Sequence, residues 1–122
     1  MTTKHFIPFF LEAHNTAKMM HWFTTSFAEH MALDKFTDMF LPLTDQFVEV
    51  YIGKQGRTQI ARRDFSFNHV SSTKLSSFLD ECIRYCSNDL NKFITPKDTD
   101  LANIRDEFIA LFNQTKYLVS LR

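Results

Sequence analysis

Apolar residues in this chain recur at three- and four-residue steps along stretches free of glycine and, with one exception, of internal proline. That spacing is one face of an α-helix, and it leaves few other folds open. Only two glycines and three prolines occur in 122 residues, too few punctuators for the many turns of a strand-rich domain. Fourteen Phe, three Tyr and one Trp supply bulky side chains for a core. The length suits a single core and is short for two, so residues 1–122 are read as one helical domain.

The first helical segment runs from about Pro8, a good first-turn residue, to about Phe23. Its apolar positions are Phe9, Phe10, Ala13, Ala17, Met20 and Phe23, with His14, Lys18 and His21 on a neighbouring stripe. Thr24-Thr25-Ser26 interrupts the pattern, and Ser26 to Glu29 has the form of a capping box opening a second helix. That helix carries Met31, Phe36, Phe40, Phe47, Val50 and Tyr51 and stops near Gly53 to Gly56. Pro42 falls inside it and predicts a kink, since the apolar pattern continues on both sides.

Lys54 to Ser71 is the one long connection, longer than a tight helical turn needs, and is expected to cross the bundle or form an interface. A third helix follows a Ser71-Ser72-Thr73 cap, carries Leu75, Phe78, Leu79, Cys82, Ile83, Cys86, Leu90 and Phe93, and ends at Thr95-Pro96. Asp98-Thr99-Asp100 caps the fourth, whose apolar face holds Leu101, Ile104, Phe108, Leu111, Phe112, Leu118 and Leu121. The expected fold is therefore all-α: a ferritin-like four-helix bundle with one longer crossover between the second and third helices.

Composition excludes some functions. Lys plus Arg equals Asp plus Glu at fourteen each, so bulk charge does not support nucleic-acid binding, while near-zero charge permits self-association. The opening residues are too short and too interrupted for a signal peptide, and no apolar run approaches a membrane span of roughly 20 residues. Cys82 and Cys86, four apart on one helix face, are poorly placed to bridge and read as buried thiols of a cytosol-like compartment. A cytoplasmic location is the expectation.

The chemistry-bearing stretch is His21 to Glu49, with His21, His30, Asp45 and Glu49 as imidazole and carboxylate donors. Such donors suit Fe(II), Mn(II) or Zn(II), and a redox function would need iron. His30 and Asp45, fifteen residues apart, stand about 22 Å apart along a continuous helix at 1.5 Å per residue. A short turn makes the first two helices antiparallel and puts His21 near His30, with Asp45 and Glu49 toward the far half. One subunit cannot easily gather all four, whereas two packed antiparallel would face the histidines of one with the carboxylates of the other. A metal site thus implies at least a dimer. The plainer reading is a surface or hydrogen-bonded core histidine and a solvated Asp-x-x-x-Glu.

His21-Trp22, His30 and Asp45-Gln46-Phe47-Val48-Glu49 resemble, in order and spacing, the signature of the Dps-type mini-ferritins. Thr99-Asp100-Leu101 and Lys116 to Leu121 are similar to that family's last helix. The resemblance implies an inter-subunit ferroxidase centre that oxidises Fe(II) with peroxide, with ferric mineral stored in a dodecameric shell. His21 and His30 would come from one subunit and Asp45 and Glu49 from its partner, with Zn or Mn able to replace iron. Trp22 would pack beside the site and quench radicals. Apart from the resemblance, His14 and Lys18 line up with His21 on the helix, either as residues that contact the ligands from behind or as ordinary surface residues. The turn between the histidines is three residues shorter than the family's, and the chain lacks a Lys-rich arm for DNA. The phrase from Phe47 to Arg57 also resembles a small uncharacterised family of phages and large DNA viruses, which would place the protein in a host cytoplasm.

A second expectation comes from a different class: a ferritin-like helical dimer without ferroxidase activity that serves a structural or partner-binding role. Its candidate surface is the basic-aromatic loop from Arg57 to Phe67, with Arg62, Arg63 and Phe65. The plain reading of that loop is a crossover with solvated arginines and two core-seeking phenylalanines. Arg62-Arg63 beside aromatics is a weak nucleic-acid signal. His69 is expected to be a cap or exposed, and His5 to lie in a frayed end.

Overall fold

The computed structural model of the chain describes residues 3–65 and 74–121. Within them lie four α-helices: α1 (Phe6–Phe23), α2 (Phe27–Gln55), α3 (Leu75–Ser87) and α4 (Thr99–Ser120). Short 3-10 turns occupy Arg62–Asp64 and Asp89–Phe93, and the described residues contain no strand. None of these helices is long and apolar enough to cross a membrane.

Ring contacts fix the directions. The end of α2 lies beside the start of α1, where Phe6 meets Tyr51 at 4.7 Å and Phe47 at 5.1 Å. The start of α3 lies at the opposite end, where Phe78 meets Phe36. Farther along α3, Tyr85 stacks on Phe9 at 3.7 Å and donates its hydroxyl to the Lys4 carbonyl. Helices α2 and α3 therefore run parallel, with the end of α2 and the start of α3 at opposite ends of the bundle. Helix α4 returns antiparallel to α2, with Lys54 bonded to Asp98 and Asp100 at one end and Phe36 near Phe112 at the other. This is the all-α four-helix architecture with one crossover that the hydrophobic pattern predicts.

The interior is a phenylalanine stack. Phe108 lies 4.5 Å from Phe10, centroid to centroid, and contacts Phe40, Phe47 and Phe112, all fully buried. These offset and edge-on pairs add to the burial that holds α1, α2 and α4 together. Cys82 and Cys86 are buried free thiols, and burial pushes both up, Cys86 to about 12.

Several local expectations are corrected. Helix α1 begins at Phe6 rather than Pro8, because His5 caps it: its Nδ1 accepts from the Ile7 amide. His5 also packs on Phe6 and Phe93, so it does not fray. The capping box of α2 is half formed. Ser26 Oγ accepts from the Glu29 amide, but the Glu29 carboxylate takes the Thr24 hydroxyl, while the Ser26 amide donates to Thr24 Oγ1. Pro42 does not split α2, which continues through it as one element of 29 residues, as the apolar pattern on both sides of the proline implies. The third helix is shorter than its apolar pattern, ending at Ser87 and giving way to the 3-10 turn that seats Leu90. Its expected Ser71-Ser72-Thr73 cap lies outside the described residues, and the preceding residue, Lys74, makes no side-chain cap bond. Asp98 precedes α4 but spends its carboxylate on Thr95 and Lys54. Phe23, Met31 and Leu121, expected in the core, are exposed, each within a turn or so of a helix end.

A candidate metal centre on the first two helices

The Thr24-Thr25-Ser26 turn is short enough to fold α2 directly back on α1, and it brings His21 and His30 face to face. Their rings stack with centroids 3.9 Å apart at 20°. His21 Nδ1 lies 2.9 Å from the His30 carbonyl oxygen, and His30 Nδ1 lies 2.9 Å from the His21 carbonyl oxygen. A carbonyl only accepts, so each Nδ1 carries the hydrogen and donates. A neutral imidazole then keeps its lone pair on Nε2. Each ring is fixed by its partner's backbone in the tautomer that leaves Nε2 free for a metal ion, as metal-binding histidines commonly are.

The local reason is helix-end chemistry. The His21 carbonyl belongs to the last turn of α1, where carbonyls lose their intrahelical donors, and the His30 ring supplies one. The His21 side chain is 7% exposed, so the buried ring is hydrogen-bonded rather than wasted. Periodicity puts the two histidines at one end of the helix pair. The reciprocal bonds follow only from the three-dimensional turn.

Trp22 is 63% exposed, next to this pair on the outer side of α1. Lys18 Nζ sits 6.0 Å from the Trp22 ring centre, a cation–π distance, so Lys18 steadies the tryptophan. His14, two turns before His21 on α1, is half-buried.

Asp45 and Glu49 are exposed one turn apart on α2. They line a cleft of about 200 Å³ with Ile7, Leu11, Thr44 and Val48, at the opposite end of the α1–α2 pair from the histidines. The fifteen residues from His30 to Asp45 correspond to about 22 Å of helix. Among the described residues no group of three or more His, Cys, Asp or Glu side chains is close enough to hold a metal ion. The chain by itself therefore presents two donor pairs, imidazole and carboxylate, at opposite ends of the same helix pair. The donor types fit a divalent first-row metal.

The crossover behaves differently from its plain reading where it is described. Arg57, Arg62 and Arg63 are exposed as expected, but Phe65 does not seek the core and is 42% exposed. Phe67 and His69 lie outside the described residues. Sequence reasoning also missed an open groove of about 740 Å³ between α2 and α4, floored by Met39, Pro42 and Leu111 and flanked by Asp38 and Glu107. Nothing in the sequence marks it, since Pro42 announces a missing amide and not a groove.

The family of unknown function DUF5856 matches the chain over residues 21–119. No curated protein and no solved structure matches it. The chain belongs to that family of unknown function.

Proposed function

Starting from a family without an assigned activity, we propose that this chain is a Dps-like iron-binding protein. In this reading it oxidises Fe(II) at a centre shared between two subunits and so sequesters iron or limits oxidative damage. His21 and His30 of one subunit supply Nε2 donors, and Asp45 and Glu49 of a second subunit supply carboxylate oxygens. The observation that carries the reading is the reciprocal Nδ1–carbonyl bonding, which orients both imidazoles and leaves both Nε2 lone pairs for a ligand.

The placement of the two pairs at opposite ends of α1–α2 supports the pairing, because an antiparallel two-fold apposition of these faces would set each histidine end against a carboxylate end and make two equivalent centres. Iron is the substrate. One peroxide accepts two electrons from two Fe(II) and takes up two protons to give two Fe(III) and two waters. The carboxylates favour the ferric product by charge, and exposed Trp22 beside the histidines is placed to intercept a stray oxidising equivalent. Zn(II) or Mn(II) can occupy the same donors without that chemistry. A subunit pair is the minimum for this centre, and a closed shell of up to twelve is the larger assembly the reading allows.

Anaerobic Fe(II) titration followed by peroxide, read by the ferric absorbance, tests it. The wild type should show a saturable fast phase, with His30→Ala and Asp45→Ala each lowering affinity or rate by at least about tenfold. Equal, weak iron binding by all three proteins would overturn the reading. The exposed Phe65 and the arginines near it favour the alternative, a helical assembly whose role is partner binding rather than oxidation.

A further inference from the structure

We propose that the groove between α2 and α4 receives the Arg57–Phe65 loop of a second copy of this chain, in a head-to-tail contact separate from the face that carries the metal donors. The proposal does not rest on the iron reading.

The groove is built for a cationic, partly apolar occupant. Its floor is Met39, Pro42 and Leu111, and its two charged lining residues, Asp38 and Glu107, are both acidic. Pro42 has no amide hydrogen, so the Asp38 carbonyl lacks its usual helical donor and adds a backbone acceptor beside those carboxylates. The groove continues toward the start of α2 past Met31 and Asp34, with Lys35 its one basic lining residue. Across both parts the lining carries three acids against one base.

The loop has the opposite character. Gly56, at φ 85, turns the chain off the end of α2 in a conformation that favours glycine. The Ala61 amide donates to Asp64 Oδ2 at 2.7 Å and the Asp64 amide to the Ala61 carbonyl at 2.9 Å, closing a turn. That turn projects Arg62 and Arg63 into solvent, with Phe65 immediately after it. Described residues 56–65 carry three arginines against one aspartate, the mirror of the groove in a chain of zero net charge. None of the ion pairs among the described residues uses Arg57, Arg62, Arg63, Asp38 or Glu107.

An arginine offers five donors in a planar fork, suited to the Asp38 and Glu107 carboxylates and the Asp38 carbonyl. Phe65 then has the Met39 thioether and the proline ring as its apolar floor. Loop and groove are different surfaces, so a contact that is not reciprocated within a two-fold pair is heterologous and propagates into a ring or a filament.

The test uses the full chain. A photo-crosslinking benzoylphenylalanine at position 65, irradiated in a mixture of light and 15N-labelled protein, should give inter-chain products that map to residues 38–46 or 107–114. Sedimentation should show that R62E/R63E and D38K/E107K each weaken assembly at least tenfold. An equimolar mixture of the two should recover it, because both the wild-type pair and the doubly reversed pair of surfaces are complementary. Phe65→Ala, which leaves the charges in place, should weaken assembly without changing helix content. A monomeric wild type, crosslinks confined to one chain or to the α1–α2 face, or variants that assemble as the wild type does would each overturn the proposal.

Discussion

Replacing His21 with alanine removes one Nδ1–H···O bond to the His30 carbonyl and the stack between the two rings, but leaves the His30 bond to the His21 backbone in place. One such bond contributes about 1 kcal/mol net and the ring stack about 1 kcal/mol more, so the single substitution should cost about 2 kcal/mol. His30→Ala loses its own bond and the same stack, for a similar cost. The double substitution loses two bonds and one stack, about 3 kcal/mol, which is less than the sum of the singles by about 1 kcal/mol. In a domain of this size that is about 8 °C for each single and about 12 °C for the pair. Urea unfolding followed by circular dichroism, at fixed protomer concentration and with chelator present, measures all four corners of the cycle. Additivity to within about 0.3 kcal/mol, or single costs below about 0.5 kcal/mol, would refute the reciprocal clamp.

Phe108→Ala empties the centre of the aromatic stack and should cost about 3–5 kcal/mol in the same assay, far more than truncation of exposed Phe23. Cys82 and Cys86 should resist a thiol reagent at pH 8 in the native protein and react fully in denaturant, since burial holds both as thiols. Lys54 holds the Asp98 carboxyl down to about 2 from an ordinary value of 3.8, with help from the Thr95 amide. The unfolded chain therefore takes up this proton first as pH falls, so the contribution is full above about pH 4 and drains away toward pH 2. Melting curves between pH 5 and pH 2 should show a shallower acid loss for Asp98→Asn than for the wild type, and an equal slope would contradict the assignment.

The helices were legible because their cause is local. Steps of three and four between phenylalanines mark α2 and α4 regardless of what they pack against, and one long connection among four helices is enough to imply a crossover. Failures came where a nonlocal partner decided the outcome. His5 looks like a residue of a loose end until its ring is seen capping α1 and packing on Phe93. Glu29 has capping-box spacing, but the Thr24 hydroxyl competes for it. The last turn of the third segment keeps its apolar period yet tightens to a 3-10 turn.

At the candidate centre, sequence reasoning located both donor pairs and their separation along α2. The ring-to-backbone clamp was not legible, because it depends on the dihedral angles of a three-residue turn rather than on residue types. The groove beside Pro42 was invisible for a related reason: proline announces a missing amide but not what packs beside it, and here the helix runs on through it as one element.

The central claim is that histidines of one subunit meet carboxylates of another. His30→Ala and Asp45→Ala proteins, each carrying a different affinity tag, can be co-expressed and the mixed pair isolated. In a mixed pair one centre combines His21 and His30 from the Asp45→Ala subunit with Asp45 and Glu49 from the His30→Ala subunit, while the other lacks a donor of each kind. A shared centre predicts that the two parents are inactive in Fe(II) oxidation and that the mixed pair recovers about half of the wild-type rate per protomer. A mixed pair as inactive as its parents would contradict it.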